Sequence, residues 1–233
     1  MTVFVQWYYN ANVPAVKSSR TRRSELAEAT RRRVVSAASR LFVEHGYSAT
    51  TIEAVANAAN VSVETVYKRF GSKRALLAAA IDLAVVEMPQ PDDFVAKFMT
   101  LPRVQAIRAE TNQRAQIQML AALSSTRLER SASLHRMLRA AVAADIELSD
   151  LLKTDHELRR ASQRALIDLL LINGRLRQGL TPDEAAETYS ALANPDLYLL
   201  LITHHRWTPD GYQSWLADTL ERLLLPQMPE ISD

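Results

Sequence analysis

Between residues 50 and 77, TTIEAVANAANVSVETVYKRFGSKRALL, the apolar positions fall into three short helical groups separated by residues that suit turns. Ile52, Val55, Ala56 and Ala59 recur at i, i+3, i+4 and i+7, one face of a helix. Thr50, with Glu53 three residues on, forms a capping-box pattern at its start. Asn60 suits the joint that follows, because asparagine tolerates left-handed backbone. Ser62 is the next N-cap, and Val61 and Val66 on either side of it are placed as a hydrophobic staple. Val66 and Phe70 face inward, which directs Thr65, Tyr67 and Lys68 elsewhere. Gly71 stops this helix, and Ser72 caps a third through Leu76 and Leu77.

The same period organises the rest of the chain. A helix over 24–45 buries Val34, Ala37, Ala38, Leu41 and Phe42 and ends at Gly46. The helix over 72–87 carries Leu76, Leu77, Ala80, Ile81 and Ala84 and is broken at Met88-Pro89-Gln90-Pro91. Beyond it the pattern predicts a short helix over 92–99, a longer one over 103–124, and another capped by Ser131 or Ser133. A long helix over 148–178 follows, in which Leu166 to Ile172 are apolar nearly all round, a sign of deep burial. Thr181-Pro182-Asp183-Glu184 reads as N-cap, N1 proline and acidic first turn. That helix runs to about 204, kinked or split by Pro195. Thr208-Pro209-Asp210 repeats the start signal for a last helix ending near Leu225. The fold class is all-α, without internal repeats. Residues 1 to about 20 show no helical period. The apolar run Val3 to Tyr9 either packs on the body or a partner subunit, or has no structural meaning.

Composition narrows the classes. The chain has 233 residues, enough for one or two cored domains. Its 48% hydrophobic content excludes a disordered chain, and only 5 glycines among abundant Ala, Leu and Arg favour helices. Zero cysteines remove disulfides, thiolate metal sites and cysteine nucleophiles and fit a reducing cytoplasm. No apolar run is long enough for a membrane span, and Met1 to Tyr9 lacks the basic leader and cleavage site of a signal peptide. A net charge of +2 is uninformative, but its distribution is not. Lys17, Arg20, Arg22, Arg23, Arg31, Arg32 and Arg33 gather at the N-terminal end, a footprint suited to phosphates beside a nucleic-acid-reading motif.

Two helices joined by a tight turn, the second short and polar on one side, make a helix-turn-helix. The residues here resemble the DNA-binding domain of the tetracycline-repressor (TetR) family of bacterial transcription regulators. The matching series is Phe42, Gly46-Tyr47, Thr50-Thr51-Ile52, Ala56, Ala59, Val61-Ser62, Thr65-Val66-Tyr67, Phe70, Ser72-Lys73 and Leu76-Leu77, within an ungapped stretch of about 25–80. The tail is similar to the last helices of one TetR branch through Ala191-Leu192, Pro195, Leu197-Tyr198, Trp207, Tyr212, Trp215-Leu216 and Leu223-Leu224. It departs at Arg206, where the family often has glycine. The resemblance implies a basic arm over 1–22, a DNA-binding domain over 23–80 and a helical regulatory and dimerisation domain over 81–228. It also implies a homodimer through the last two helices, a double-stranded DNA operator as partner and a small-molecule effector of unknown identity. The reading is a ligand-responsive repressor on a palindromic operator; the alternative is a helical DNA-binding regulator without an effector.

On this reading Ser62, Val63, Glu64, Thr65, Tyr67 and Lys68 form the DNA-reading face: hydroxyls and Lys68 for phosphates or base edges, Val63 for a thymine methyl. The competing reading of Tyr67, a half-buried core aromatic, is weakened because Val66 and Phe70 already fill the inward positions. Phosphate contacts by Thr50, Thr51 and Lys73 are implied by the resemblance. Lys73 has a further argument, since a cation at a helix N-terminus opposes the dipole unless an anion joins it. Candidate effector contacts are Met119, Leu123, His135, Met137, Leu138, Leu170, Asn173 and Tyr198, for most of which ordinary packing is the competing explanation. Asp155-His156-Glu157 reads as an exterior charged run, and His204-His205 as a surface or dimer-seam pair. No Walker loop, GxSxG, HExxH or Glu-x-x-His occurs, so neither catalysis nor a cofactor is expected.

Overall fold

The computed structural model describes residues 19–86, 94–143 and 145–227, and every regular element among them is helical. The run Val3 to Tyr9, Lys17 and the Met88–Pro91 break lie outside the described residues. Helix α1 spans Ser19–Ala49, starting five residues earlier than its hydrophobic stripe implies. Its regular geometry breaks at Gly46, whose φ of 80° no other residue adopts cheaply. Helices α2 (Ile52–Ala59), α3 (Val63–Phe70) and α4 (Lys73–Val86) complete an N-terminal unit. The remainder comprises α5 (Phe94–Met99), α6 (Pro102–Ala109), α7 (Gln113–Val142), a 3-10 turn over Ile146–Leu148, and α8 (Ser149–Ile172). Then come α9 (Pro182–Leu192), α10 (Pro195–Leu199) with a π-turn over Leu200–His204, and α11 (Pro209–Leu224). None of these helices is long and apolar enough to cross a membrane.

Two apolar cores organise the chain. One joins α1 to α4 around Val34, Phe42, Val55, Val66, Leu76 and Leu77. The other joins α5 to α11 around Phe98, Ile117, Leu120, Leu166, Leu170, Tyr189, Tyr212 and Leu216. Helix α7 belongs to both. Its first half, through Ala132, lies in the C-terminal core, whereas Leu134, Leu138 and Ala141 are buried in the N-terminal one. The two units are therefore held together by a continuous rod as well as by the connection after α4.

Several boundaries differ from the sequence pattern, each for a local reason. The expected helix over 103–124 is divided because Asn112 accepts from the Arg114 and Ala115 N–H groups and caps α7, while Glu110 accepts from the Asn112 N–H. Neither Ser131 nor Ser133 caps a helix: α7 runs straight through both, and the Ser131 hydroxyl donates back to the Arg127 carbonyl. The helix expected to reach 178 stops at Ile172. Asn173 leaves helical geometry there, and Ile172 is 67% exposed rather than deeply buried. Pro195 splits its helix, with Asn194 capping the second piece. Both Thr-Pro-Asp starts form as read, with a full capping box between Thr181 and Glu184.

Arg206 occupies the turn before α11 with a φ of 57°, the left-handed conformation glycine adopts without steric cost. The strain of about 1–2 kcal/mol for an L side chain there exceeds the entropy that glycine adds to the unfolded chain, roughly 0.5–1 kcal/mol. Arg206→Gly is thus expected to raise the thermal midpoint by about 2 °C. Arg206→Val should lower it; the two are compared by thermal unfolding at one protein concentration.

Candidate nucleic-acid interface and effector cavity

The N-terminal unit is braced from inside. Thr51, not Thr50, caps α2: its Oγ1 accepts from the Ala54 N–H at 3.1 Å. Thr50 is 1% exposed, and its hydroxyl faces the carbonyls of Gly46 at 2.8 Å and Leu41 at 3.0 Å. That corrects its expected cap and phosphate roles: the hydroxyl is committed to closing the α1–α2 corner. Asn60 takes the left-handed joint (φ 53°, ψ 55°), its N–H donating to the Ala56 carbonyl. Ser62 caps α3, accepting from the Thr65 N–H at 3.1 Å, and the two hydroxyls lie 2.8 Å apart. One donates to the other, leaving one O–H outward.

Helix α3 has a clear inside and outside. Val66 is buried, with Val63 and Phe70 partly buried in the same core. The Arg31 guanidinium sits 5.7 Å from the Phe70 ring centroid, and Arg69 donates to the Ala27 carbonyl at 2.8 Å, tying α3 to α1. On the other side Ser62, Glu64 and Lys68 are exposed, Thr65 is half-buried, and Tyr67 is 48% exposed. Five of the expected reading residues thus share one solvent-facing surface, and Val63 lies at its inner edge.

Lys73 does something other than expected. Its Nζ donates to the carbonyls of Tyr47 at 2.8 Å and Thr50 at 3.0 Å and lies 4.3 Å from the Tyr47 ring centroid. Burial pushes its pKa below the ordinary lysine value, against a counteracting pull from Asp145. The ammonium therefore binds the carbonyl-rich end of α1, where a cation is favourable, instead of opposing the dipole of α4. Arg74, beside it, is exposed.

A second polar centre lies between α7, α8 and α9. Arg127, Ser131 and His135 stand at i, i+4 and i+8 on α7; Asp155, Arg159 and Gln163 repeat that spacing on α8. All but Asp155 line a small cavity of about 30 Å3, also lined by Tyr189 and Ser124, whose hydroxyls meet at 2.6 Å. On this measure one water needs roughly 10–15 Å3. His135 bonds Asp155 Oδ1 through Nε2 at 3.0 Å and faces the Ser131 carbonyl through Nδ1 at 2.7 Å. Burial raises the Asp155 carboxyl, but the His135 hydrogen bond and the charges of His135, Arg159 and His156 bring it below the ordinary carboxylate value. Asp155 is 9% exposed, so the expected exterior run is corrected: Asp155 points inward, and only His156 and Glu157 face solvent.

Of the residues expected to touch an effector, only His135 lines this cavity. Leu123, Leu170 and Tyr198 are buried in the C-terminal core, Tyr198 edge-on to Tyr212, with Met119 packed against that core. Leu138 is buried in the N-terminal core, with Met137 packed against it. The Asn173 amide donates to the Glu110 carbonyl at 2.9 Å, a backbone bond that secures the α6–α7 corner. The missed residues are Arg127, Arg159 and Gln163. They stand at period four, but on stretches that are polar on several sides, so the sequence does not single them out. Among the described residues no group of acidic or histidine side chains is arranged to hold a metal ion.

Residues 34–80 match the family described as bacterial regulatory proteins, tetR family. No curated protein sequence matches the chain. Solved structures share its fold over most of their length. A protein described as a TetR-family transcriptional regulator from Mesorhizobium loti MAFF303099 is 20% identical, with a TM-score of 0.64 over 84% of this chain and 95% of that one. NalD, the secondary repressor of the MexAB-OprM multidrug efflux pump in Pseudomonas aeruginosa, is 21% identical, with a TM-score of 0.63 over 87% and 99%. SmeT, solved as a triclosan complex, is 19% identical, with a TM-score of 0.63 over 87% and 96%. Residues 34–80 thus carry the helix-turn-helix segment of the tetR family of bacterial regulatory proteins, within a two-unit helical fold like that of these solved structures.

Proposed function

We propose that the protein is a homodimeric transcriptional repressor that places α3 in the major groove of a palindromic operator and releases it when a small molecule binds the C-terminal unit. The observation that carries this reading is the division of α3 into an anchored inner side and a free outer side. Val66, Phe70 and Arg69 fix the rod, which leaves Ser62, Thr65, Tyr67 and Lys68 at a solvent-facing surface. Hydroxyls, a phenol and an ammonium suit base edges and phosphates. Thr51, exposed at the α2 N-terminus, and Arg74 flank that surface and suit phosphates. Ligand response is supported by SmeT with triclosan and by a regulator from Saccharomonospora viridis in complex with choline, of similar fold. The small cavity and close packing around Leu123, Leu170 and Tyr198 favour the second reading, a helical DNA-binding regulator without a small-molecule effector.

Selection of binding sites from random duplexes tests the first reading. An inverted repeat with half-sites about one helical turn, ~34 Å, apart is expected; single, unpaired half-sites would count against a dimer. The last two helices leave Leu200 45% and Leu223 39% exposed, with Trp207 and Trp215 partly buried nearby. Exposed apolar surface of this kind suits a two-fold interface. Leu200→Arg combined with Leu223→Arg is expected to yield monomers by sedimentation and to weaken operator binding. A surviving dimer would put the interface elsewhere.

A further inference from the structure

The α7–α8 cavity has an unbalanced set of charges and hydrogen-bonding atoms. Arg127 crosses the Phe98 ring at 4.8 Å, and its Nε is fully buried without a partner. Arg159 makes only a long hydrogen bond, 3.4 Å, to the Ala193 carbonyl. Arginine stays charged in a protein, so both guanidiniums remain cations here. The one carboxylate among them, Asp155, is engaged by His135. That single carboxylate faces two guanidiniums, so positive charge is in excess in the cluster. A partly buried guanidinium short of carboxylate partners is costly, whereas its fork matches a carboxylate in two parallel hydrogen bonds. Acceptors are also in surplus: Asp155 Oδ2 and Gln163 Oε1 are buried and unpartnered. An occupant must therefore bring negative charge and an O–H or N–H donor.

We propose that the cavity binds the head group of a small hydroxy-carboxylate, its carboxylate between Arg127 and Arg159 and its hydroxyl donating to Gln163 or Asp155. The inference deepens the ligand-responsive reading and rests on it for its regulatory meaning. The cavity's size restricts it to a head group, and its single carboxylate disfavours a dianion. Its position gives it a direct route to the DNA-reading unit. Arg127, Ser131 and His135 lie on the stretch of α7 that passes from the C-terminal core into the N-terminal one, the last of them three residues before Leu138. A ligand that prefers one setting of this rod over another shifts the reading head by that difference in affinity.

The probe is glycolate, with chloride at the same ionic strength as the control. Wild-type protein without DNA is expected to show a saturable rise in thermal midpoint of about 3 °C with glycolate, and heat on titration, with no such response to chloride. Arg127→Met should remain folded, since methionine keeps the stem against Phe98 and removes a buried, unpartnered Nε, and should lose the glycolate response at least tenfold in affinity. Arg127→Lys should keep a weakened response. No response in the wild type, an equal response to chloride, or an undiminished response in Arg127→Met would each overturn the site. Operator affinity, measured separately on the same protein, tests the functional reading. Glycolate binding with unchanged DNA affinity would leave the site standing and remove its regulatory role.

Discussion

A Tyr67→Ala/Lys68→Ala double variant is expected to lose about 100-fold in specific operator affinity while its thermal midpoint stays within about 2 °C of wild type. Both side chains are exposed on the outer face of α3, and neither makes a hydrogen bond or ion pair with another of the described residues. Removing them should leave the brace of Val66, Phe70 and Arg69 intact. The expected loss is two base or phosphate contacts, each worth roughly 1–3 kcal/mol. The single variants separate the roles. Lys68→Ala should lower the salt slope of binding by about one, as expected for one phosphate contact. Tyr67→Ala should weaken the preferred operator relative to random duplex and leave that slope unchanged. Unchanged affinity in the double variant would remove α3 as the reading helix.

The second large effect is one of stability. Lys73→Met should lower the thermal midpoint by about 4–10 °C, because hydrogen bonds to a charged donor contribute about 1.5–3 kcal/mol. The side chain bonds two carbonyls at the end of α1 and covers the Tyr47 ring, which itself stacks on Phe42 at 5.8 Å. Methionine retains the apolar stem and leaves those carbonyls without their cation. If Lys73 were chiefly a phosphate contact, the same substitution would reduce the salt slope of DNA binding and leave the midpoint in place. Unfolding and salt titration of one preparation therefore separate the two roles.

The difference between Lys73 and Lys68 shows what a linear pattern conveys. The periods over 50–77 located α2, α3 and α4 and the inner positions of each, because local spacing determines which face a side chain occupies. They could not tell which hydroxyl or ammonium had a partner distant in sequence. Thr50 and Thr51 are adjacent and chemically equal. Only the backbone break at Gly46 turns one toward the α1 carbonyls and leaves the other to cap α2. Lys73 meets carbonyls more than twenty residues earlier. In the C-terminal unit the same limit affects polar residues on long helices. Ser131 read as a cap because serine favours caps, but inside α7 it bonds the preceding turn. Asp155 read as exterior because it neighbours two outward groups, although one step along a helix turns a side chain by about 100°. The cavity exists because α7 and α8 bring two such stripes together, which neither helix pattern states alone.

The central claim, that the outer face of α3 meets the duplex, can be measured at one residue because the chain has no cysteine. A DNA-cleaving chelate attached to a Lys68→Cys variant should cut a bound operator in two clusters, about one helical turn apart and related by the operator's symmetry. A Gln178→Cys variant, labelled at an exposed turn of the C-terminal unit, serves as the control. Cleavage confined to the Lys68→Cys label is the predicted result. Cleavage from the Gln178→Cys label, with none from the Lys68→Cys label on bound DNA, would contradict the account.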